Sequence, residues 1–343
     1  MSYILLHKEN LHNNLEIIKS KLGSLDKLFA VLKDNAYGHG LLLMAEELSK
    51  YGVKRAVVRD VEEALSIKEL FLDVLVLSEH PQNITPISNV IFTINSLESL
   101  KLIPKNTKVA LKVDTGMHRN GISINELDAA CKLISASSLN LHSIFTHFRS
   151  ADEIDANFFW QRDNFENIKV KYNELKHKYS LKDVFFHSCN SAALLRSNHF
   201  NDDFARVGIA LYGYHTLPAS FKEINLKPVL ELFAQKISQR ELLFNERIGY
   251  GGKFRANEDM TSSVYDLGYA DGLFRLNGNK ELKTTNGSLI LGRTSMDSIS
   301  INSSLDGISV FNNAEVWAKH FDTISYEILV KLSPKIKRSF YKK

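Results

Sequence analysis

The sequence predicts an α/β chain, with an N-terminal (β/α)8 barrel of the TIM type followed by a C-terminal, mainly β domain. Three observations carry this reading. Eight short, almost unbroken apolar runs occupy the first two-thirds of the chain, the segments between them have helical spacing, and after about Lys227 the texture changes to glycine turns and two-residue alternation. Unbroken apolar runs suit strands buried on both faces, as in a parallel sheet covered by crossover helices. Eight strand-plus-helix units spell a closed barrel. The boundary is placed between residues 1–227, the barrel, and residues 228–343, the β domain.

In chain order the strand candidates are LFAVLK (28–33), RAVV (55–58), DVLVL (73–77), NVIFTI (89–94), KVALKV (108–113), LHSIFTHF (141–148), DVFFH (183–187) and ARVGIALYG (205–213). Between them LLLMAEELSKY, VEEALSIKEL, ELDAACKLI and the long, charge-laced stretch that begins DANFFWQRDNF read as helices. Beyond Lys227 the turns IGYGGKF, NGNK and NGS and the alternation SISINSS read as antiparallel strands with hairpins.

Hydrophobic residues at 44% and charged residues at 24% match a globular chain and exclude disordered and fibrous classes. Cys131 and Cys189 are too few for a disulfide framework or a paired-cysteine metal knuckle, so a reducing cytoplasm is the expected compartment. The net charge is only +4, and its densest basic run, KIKRSFYKK, reads as a solvated tail rather than a nucleic-acid patch. The apolar run at 3–6 is too short for a signal-peptide core and no stretch suits a membrane span, so a soluble protein without an export signal is expected. The histidines show no metal-ligand spacing, and no metal is expected.

Two places point to chemistry. Lys33 ends the first buried run and is followed by Gly38 and Gly40. In a barrel the C-terminal strand ends build the active site, and a partly desolvated lysine there loses proton affinity, as a Schiff-base nucleophile requires. The second place is HSCNSAA after the seventh run together with RVGIALYG as the eighth. Loops at these two positions of a barrel hold phosphate through backbone N–H groups, which suits Ser191, Gly208 and Ile209. A lysine at strand one and a phosphate cup at strands seven and eight would hold pyridoxal phosphate by both ends.

With these residues in place, the chain resembles the alanine racemases, fold-type III pyridoxal-phosphate enzymes. AVLKDNAYGHG resembles the family's cofactor signature, and LKVDTGMHRNG, THFRSADE, HSCNSAA, ARVGIALYG, RIGYGG, LGYADG and GRTSMDSISI recur in the family's order. The resemblance implies interconversion of L- and D-alanine by two bases, Lys33 and Tyr250, in a cytoplasmic homodimer that supplies D-alanine for peptidoglycan. Lys33 would bind pyridoxal 5'-phosphate covalently, Tyr37, Asn190, Ser191, Gly208 and Ile209 would hold its phosphate end, and His147 would pack on its ring. Arg206 would donate to the ring nitrogen, and a permanently charged guanidinium cannot accept a proton, so that nitrogen would stay unprotonated. Arg119 and the backbone of Met296 would bind the substrate carboxylate. Lys112 matches a lysine that is often carbamylated, and Asp152, Tyr269, Arg275 and Arg293 match residues lining a narrow corridor to the site. Tyr250 would come from the partner subunit, with Asp297 near its surroundings.

Each residue has a plainer reading taken singly: His147 as a satisfied core histidine, Arg206 paired with Asp202 or Asp203, Tyr250 as a hairpin aromatic. A decarboxylase of the same architecture would set an acidic residue against the ring nitrogen, where this chain offers Arg206, and a non-catalytic cofactor-binding barrel would lack the β domain. The chain departs from the family in two places: Ser295 stands where a cysteine is common, and Pro334 stands where a tyrosine reaches the phosphate. Either Tyr326 or Tyr341 substitutes from another position, or that phosphate contact is absent.

Overall fold

The computed structural model describes residues 1–221, 223–278 and 280–341 and divides into two compact units. One comprises residues 13–36 and 41–226, the other residues 1–12, 37–40 and 227–343.

The first unit is the barrel. Its strands are β2 (Leu28–Val31), β3 (Arg55–Val58), β4 (Asp73–Val76), β5 (Val90–Ile94), β6 (Lys108–Lys112), β7 (Asn140–Phe145), β8 (Phe185–His187) and β9 (Ala205–Val207). They pair in parallel in the order β8-β7-β6-β5-β4-β3-β2-β9. Every residue of β2, β4 and β5 is buried, which explains why these runs show no alternation. Between β8 and β9, Asp203 N–H donates to the Phe186 carbonyl at 3.0 Å and Arg206 N–H to the Cys189 carbonyl at 2.9 Å, so the barrel is nearly closed.

The helices follow their sequence signals. Asp60 caps Val61–Ile67 by accepting the Glu63 amide, and Ser96 with Ser99 forms a capping box on Leu97–Leu100. Helix Asn157–Lys178 buries Phe158, Gln161, Phe165, Ile168, Tyr172 and Leu175, steps of three and four that keep one face inward. The eighth strand is shorter than its apolar run, 205–207 rather than 205–213. Beyond Val207 the chain turns, with Leu211 N–H donating to the Gly208 carbonyl at 2.8 Å and Tyr212 N–H to that of Ile209 at 3.1 Å.

The second unit is built on β10 (Leu230–Leu242), thirteen residues long, which pairs antiparallel with β1 (Tyr3–Leu6), β13 (Met260–Tyr265) and β16 (Gly307–Phe311). The sheet continues from β13 to β15 (Ile299–Ile301) and β14 (Ile290–Leu291), and on its other side β1 pairs in parallel with β17 (Lys337–Phe340). A short ladder joins β11 (Arg247–Ile248) to β12 (Phe254–Arg255). The N-terminal strand thus belongs to this sheet, although it precedes the barrel in the chain. Helices Ala314–Phe321 and Ser325–Val330 follow β16 within this mainly β unit, two elements that the sequence reading does not place.

Candidate active site

Lys33 stands two residues beyond the last residue of β2, and from it the backbone runs in the left-handed region. Asp34, Asn35, Ala36 and Tyr37 have φ of 55°, 56°, 51° and 51°. Four consecutive non-glycine residues there cost about 1–2 kcal/mol each, so the turn persists only where its surroundings hold it. Glu63, which sequence reasoning missed, supplies part of that hold. Its Oε1 accepts the Asn35 N–H and its Oε2 the Arg59 N–H, both at 2.9 Å. Asn35 Oδ1 accepts the Leu41 N–H at 2.9 Å, and Asp34 pairs with Arg59 at 3.2 Å and lies 3.4 Å from Lys33 Nζ. The only signal for Glu63 was its place in VEEAL, where a carboxylate near a helix start reads as a capping group.

Arg206, on β9, is buried with 6% of its surface exposed. Nη1 donates to His187 Nδ1 at 2.9 Å and to the His187 carbonyl at 2.8 Å, while Nη2 donates to the Thr146 carbonyl at 2.6 Å. Because arginine has no acceptor, His187 Nδ1 must be unprotonated, and its Nε2–H then donates to Ser143 Oγ at 3.0 Å. Burial and the Arg206 charge hold the His187 imidazole neutral. Neither acid suspected from the sequence bonds Arg206: Asp202 takes Lys169 at 2.7 Å and the Ser188 N–H at 2.7 Å, and Asp203 takes the Phe186 N–H at 2.7 Å. Burial lowers the guanidinium to about 10, still charged at neutral pH.

His147 lies among these cations. Burial first, then Arg206, Lys112, Arg119 and Lys33, push its imidazole down to about 3, so it presents a neutral ring. Lys112, at the end of β6, is lowered to about 8 by burial and by Arg119 and Arg206. Arg119 rides on the following loop, which Asp114 organises by accepting the Gly116, Met117 and His118 amides at 2.9–3.1 Å. Gly121 closes that loop at φ +115°, where a Cβ would stand 2.9 Å from the Asp114 nitrogen. The barrel unit therefore brings Lys33, Lys112, Arg119, His147 and Arg206 into one electrostatic neighbourhood.

At the other end of that group, Ser191 Oγ accepts the Gly208 N–H at 3.0 Å, tying the loop after β8 to the turn after β9. Asn190 caps the short helix Ser191–Arg196 through the Ala193 N–H at 2.9 Å and donates to the Phe148 carbonyl at 3.3 Å. Ile209 is buried in the same turn.

The sheet unit carries the remaining candidates. Tyr250 sits between β11 and β12 with Gly249, Gly251 and Gly252 at φ of 73°, 72° and 50°, and is 63% exposed. A Cβ on Gly251 would lie 3.4 Å from the Arg293 guanidinium, which places Arg293 beside this turn. Met296 is 59% exposed, and its carbonyl accepts the Ala270 N–H at 2.8 Å. A Cβ at Gly268 would stand 2.2 Å from that same carbonyl, so the approach of the Tyr269 turn to Met296 requires glycine. Tyr269 and Arg275 line a cavity of about 540 Å³ with Lys331 and Ser333. Asp152 belongs to the barrel unit, whereas Tyr269, Arg275 and Arg293 belong to the sheet unit. The Tyr37 ring stands 5.7 Å from that of Tyr326, whereas Tyr341 stacks on His7 at 5.9 Å.

The donor set suits pyridoxal phosphate. Lys33 offers an amine at a strand end. The recorded bonds of Arg206 run from its two terminal nitrogens, so among the described residues Nε–H is the donor left for a ring nitrogen. The seryl hydroxyl and backbone turn at Ser191, Gly208 and Ile209 offer neutral donors to an anion.

Comparison with known proteins agrees. A family model described as the alanine racemase N-terminal domain matches residues 6–216, and one for the C-terminal domain matches residues 229–340. Curated proteins named alanine racemase from a Nitratiruptor species and from Campylobacter concisus are each 46% identical over 340 residues, covering 99% of this chain and 99% and 100% of theirs. A solved alanine racemase from Clostridium difficile superposes with a TM-score of 0.87 at 25% identity, over 99% of this chain and 95% of that one. The alanine racemase from Bacillus anthracis with bound L-Ala-P gives 0.85 at 27% identity, with the same coverage.

Proposed function

The chain belongs to the alanine racemase family and has that family's isomerase activity, and from this we propose how its residues carry the interconversion of L- and D-alanine with pyridoxal 5'-phosphate. The observation that carries the assignment of roles is the cationic group around a neutral His147, with a buried Arg206 that, among the described residues, no carboxylate bonds.

Bound pyridoxal phosphate draws electron density from the α-carbon of an attached amino acid and makes its C–H bond acidic. Arg206 would hold the ring nitrogen through Nε–H and, having no acceptor, would leave it unprotonated, which would moderate the electron withdrawal the cofactor supplies and favour return of the proton to the α-carbon. His147, held neutral, would face the ring without adding a charge. Ser191 Oγ, the Gly208 and Ile209 amides, Asn190 and Tyr37 orient the phosphate. Arg119 and the Met296 N–H take the substrate carboxylate. Lys112, carrying a carbamate, would turn from a repelling cation into an acceptor for Arg119; its lowered pKa supports this, since the neutral amine is the form that reacts with carbon dioxide.

Lys33 Nζ moves the α-proton on one face and Tyr250 Oη on the other. Tyr250 serves from a second copy of the chain, a reading its exposure supports, so the active form is a homodimer with two shared sites. Asp152, Tyr269, Arg275 and Arg293 line the corridor to each. Among the described residues no helix is long and apolar enough to cross a membrane, and with only two cysteines, neither bonded to the other, the cytoplasm is the compartment proposed. A decarboxylase is disfavoured, because such enzymes set an acidic residue against the ring nitrogen, where this chain offers Arg206.

The test follows L-alanine with added cofactor by loss of optical rotation and, in parallel, by release of carbon dioxide. Racemisation without gas is expected. Lys33→Ala should abolish both the turnover and the absorbance of covalently held cofactor, and a purified mutant still carrying covalent cofactor would overturn the assignment.

A further inference from the structure

Arg338 lies on β17, far along the chain from the Lys33 turn, and every hydrogen bond recorded for it ends on a main-chain carbonyl. Nε donates to Gly38 at 2.8 Å, Nη1 to Ile336 at 2.5 Å and Pro334 at 3.3 Å, and Nη2 to Ser333 at 3.0 Å and Leu332 at 3.4 Å. No carboxylate pairs with it among the described residues, and burial lowers it to about 10. Four of these five acceptors belong to one local bend, residues 332–336, which Arg338 gathers into a cradle. The fifth, Gly38, is the residue after Tyr37.

A second close approach occurs at the same residue. Gly38 has φ +78°, and a Cβ on it would stand 2.1 Å from the Leu329 carbonyl. Between the guanidinium and the end of helix Ser325–Val330, the backbone just past the left-handed turn is therefore held from two directions. The turn itself needs such a hold, because four non-glycine residues in the left-handed region relax to ordinary conformations unless both ends are fixed. Glu63 fixes the Asn35 end. We infer that Arg338 fixes the other end: it is a positioning residue that sets Tyr37, and with it the phosphate end of the cofactor site, by clamping Gly38 to the 332–336 bend.

This inference rests on the reading of Tyr37 as a phosphate contact, but the clamp can be tested without it. Planar geometry is the basis of the argument, since a five-donor fork can bridge carbonyls on two segments and an ammonium cannot reproduce that arrangement. Arg338→Gln and Arg338→Lys, in the full-length chain, should therefore behave alike. Hydrogen exchange of amides 36–40, measured without cofactor, should quicken by roughly 10-fold or more, while the amides of β10 keep their wild-type rates. Pyridoxal phosphate, followed by absorbance after dilution, should bind roughly 10-fold more weakly, the scale of one lost hydrogen bond to a charged group.

Unchanged exchange at 36–40 would overturn the clamp, as would faster exchange spread evenly over both regions or complete rescue by Arg338→Lys. Loss of folded structure in both variants would assign Arg338 to general stability and overturn it too. Faster exchange at 36–40 with unchanged cofactor affinity would keep the clamp and overturn its link to the phosphate. A wild-type chain that binds no pyridoxal phosphate would sink the functional reading and leave the exchange result standing.

Discussion

The candidate residues on the barrel unit and those on the sheet unit are held in their own units differently. On the barrel, Arg206 and Lys112 are 6% and 9% exposed, main-chain carbonyls hold Arg206 while the like charges of Arg119 and Arg206 press on Lys112, and the field at His147 exists before anything binds. On the sheet, Tyr250 and Met296 are 63% and 59% exposed, and glycine geometry rather than packing sets where they stand. Buried dipoles and charges act strongly because little water screens them, whereas an exposed phenol is a poor proton-transfer group until something excludes water from it. The barrel residues are preorganised; the sheet residues are presented, and they require cover.

The sharpest way to break that contrast is to ask whether the cover is a second copy of the chain. Lys33→Ala and Tyr250→Phe should each lower racemisation by about 100-fold to 10,000-fold, the usual worth of a positioned acid or base. If Tyr250 serves a second copy, the two mutant chains co-expressed should form mixed dimers in which one pocket collects both intact residues. With random pairing about half the dimers are mixed and each has one good pocket of two, so activity should return to roughly a quarter of wild type. A mixture no more active than the separate mutants would place both residues in one chain's pocket.

A smaller effect probes the barrel half alone. Lys112 has a folded pKa of about 8, below the roughly 10.4 of an unfolded chain. Between those values the unfolded state binds more protons, so stability rises with pH across that window, and below pH 8 the folded state carries a cost of at most about 3 kcal/mol. In carbon-dioxide-free buffer, the urea midpoint of the wild type should rise from pH 7 to pH 10 relative to that of Lys112→Met. Parallel pH profiles for the two proteins would show that the lysine feels no such field. Supplied carbon dioxide should narrow the difference by converting the amine to a carbamate.

The same contrast explains what was legible in the sequence. The barrel strands announce themselves because burial on both faces leaves an unbroken apolar run, and Lys33 because it ends the first of them. The eighth run misled, since 208–213 is apolar yet turns away from the ladder: apolarity records burial, and a buried turn looks like a strand. Strand β1 joined the β10 sheet, a pairing between positions 3–6 and 230–233 that no local pattern encodes. Helices Ala314–Phe321 and Ser325–Val330 are short; Asn313 caps the start of the first, a signal present in the sequence, whereas the second starts after Ile324 with no side-chain cap. Glu63, His187 and Arg338 could not be found by pattern, because Glu63 and Arg338 act on backbone groups, and His187 on the side chains of Arg206 and Ser143, whose nearness only the folded chain creates. The left-handed turn after Lys33 was equally hidden, its residues Asp34 to Tyr37 giving glycine-free sequence no reason to leave ordinary backbone space.

The smallest predicted effect falls on the sheet side and concerns Pro334, which offers no phenol where the resemblance leads one to expect it. Its carbonyl instead accepts from Arg338. Two tyrosines were candidates to make up the difference, and their placements differ. Tyr341 N–H donates to the Leu6 carbonyl at 2.9 Å and its ring stacks on His7, at the edge where β17 meets β1. The Tyr326 ring stands 5.7 Å from that of Tyr37 with their planes 50° apart, on the helix whose last turn approaches Gly38. If a phenol beside Tyr37 helps to hold the phosphate, Tyr326→Phe should weaken cofactor binding by about 10-fold, one charged hydrogen bond at the low end of its range, while Tyr341→Phe leaves it unchanged. Absorbance titration with pyridoxal phosphate reads both. Equal, wild-type affinities in the two mutants would mean that the phosphate is held from the barrel alone, by Ser191, Gly208 and Ile209, and would confine the sheet unit's part in cofactor binding to Tyr37.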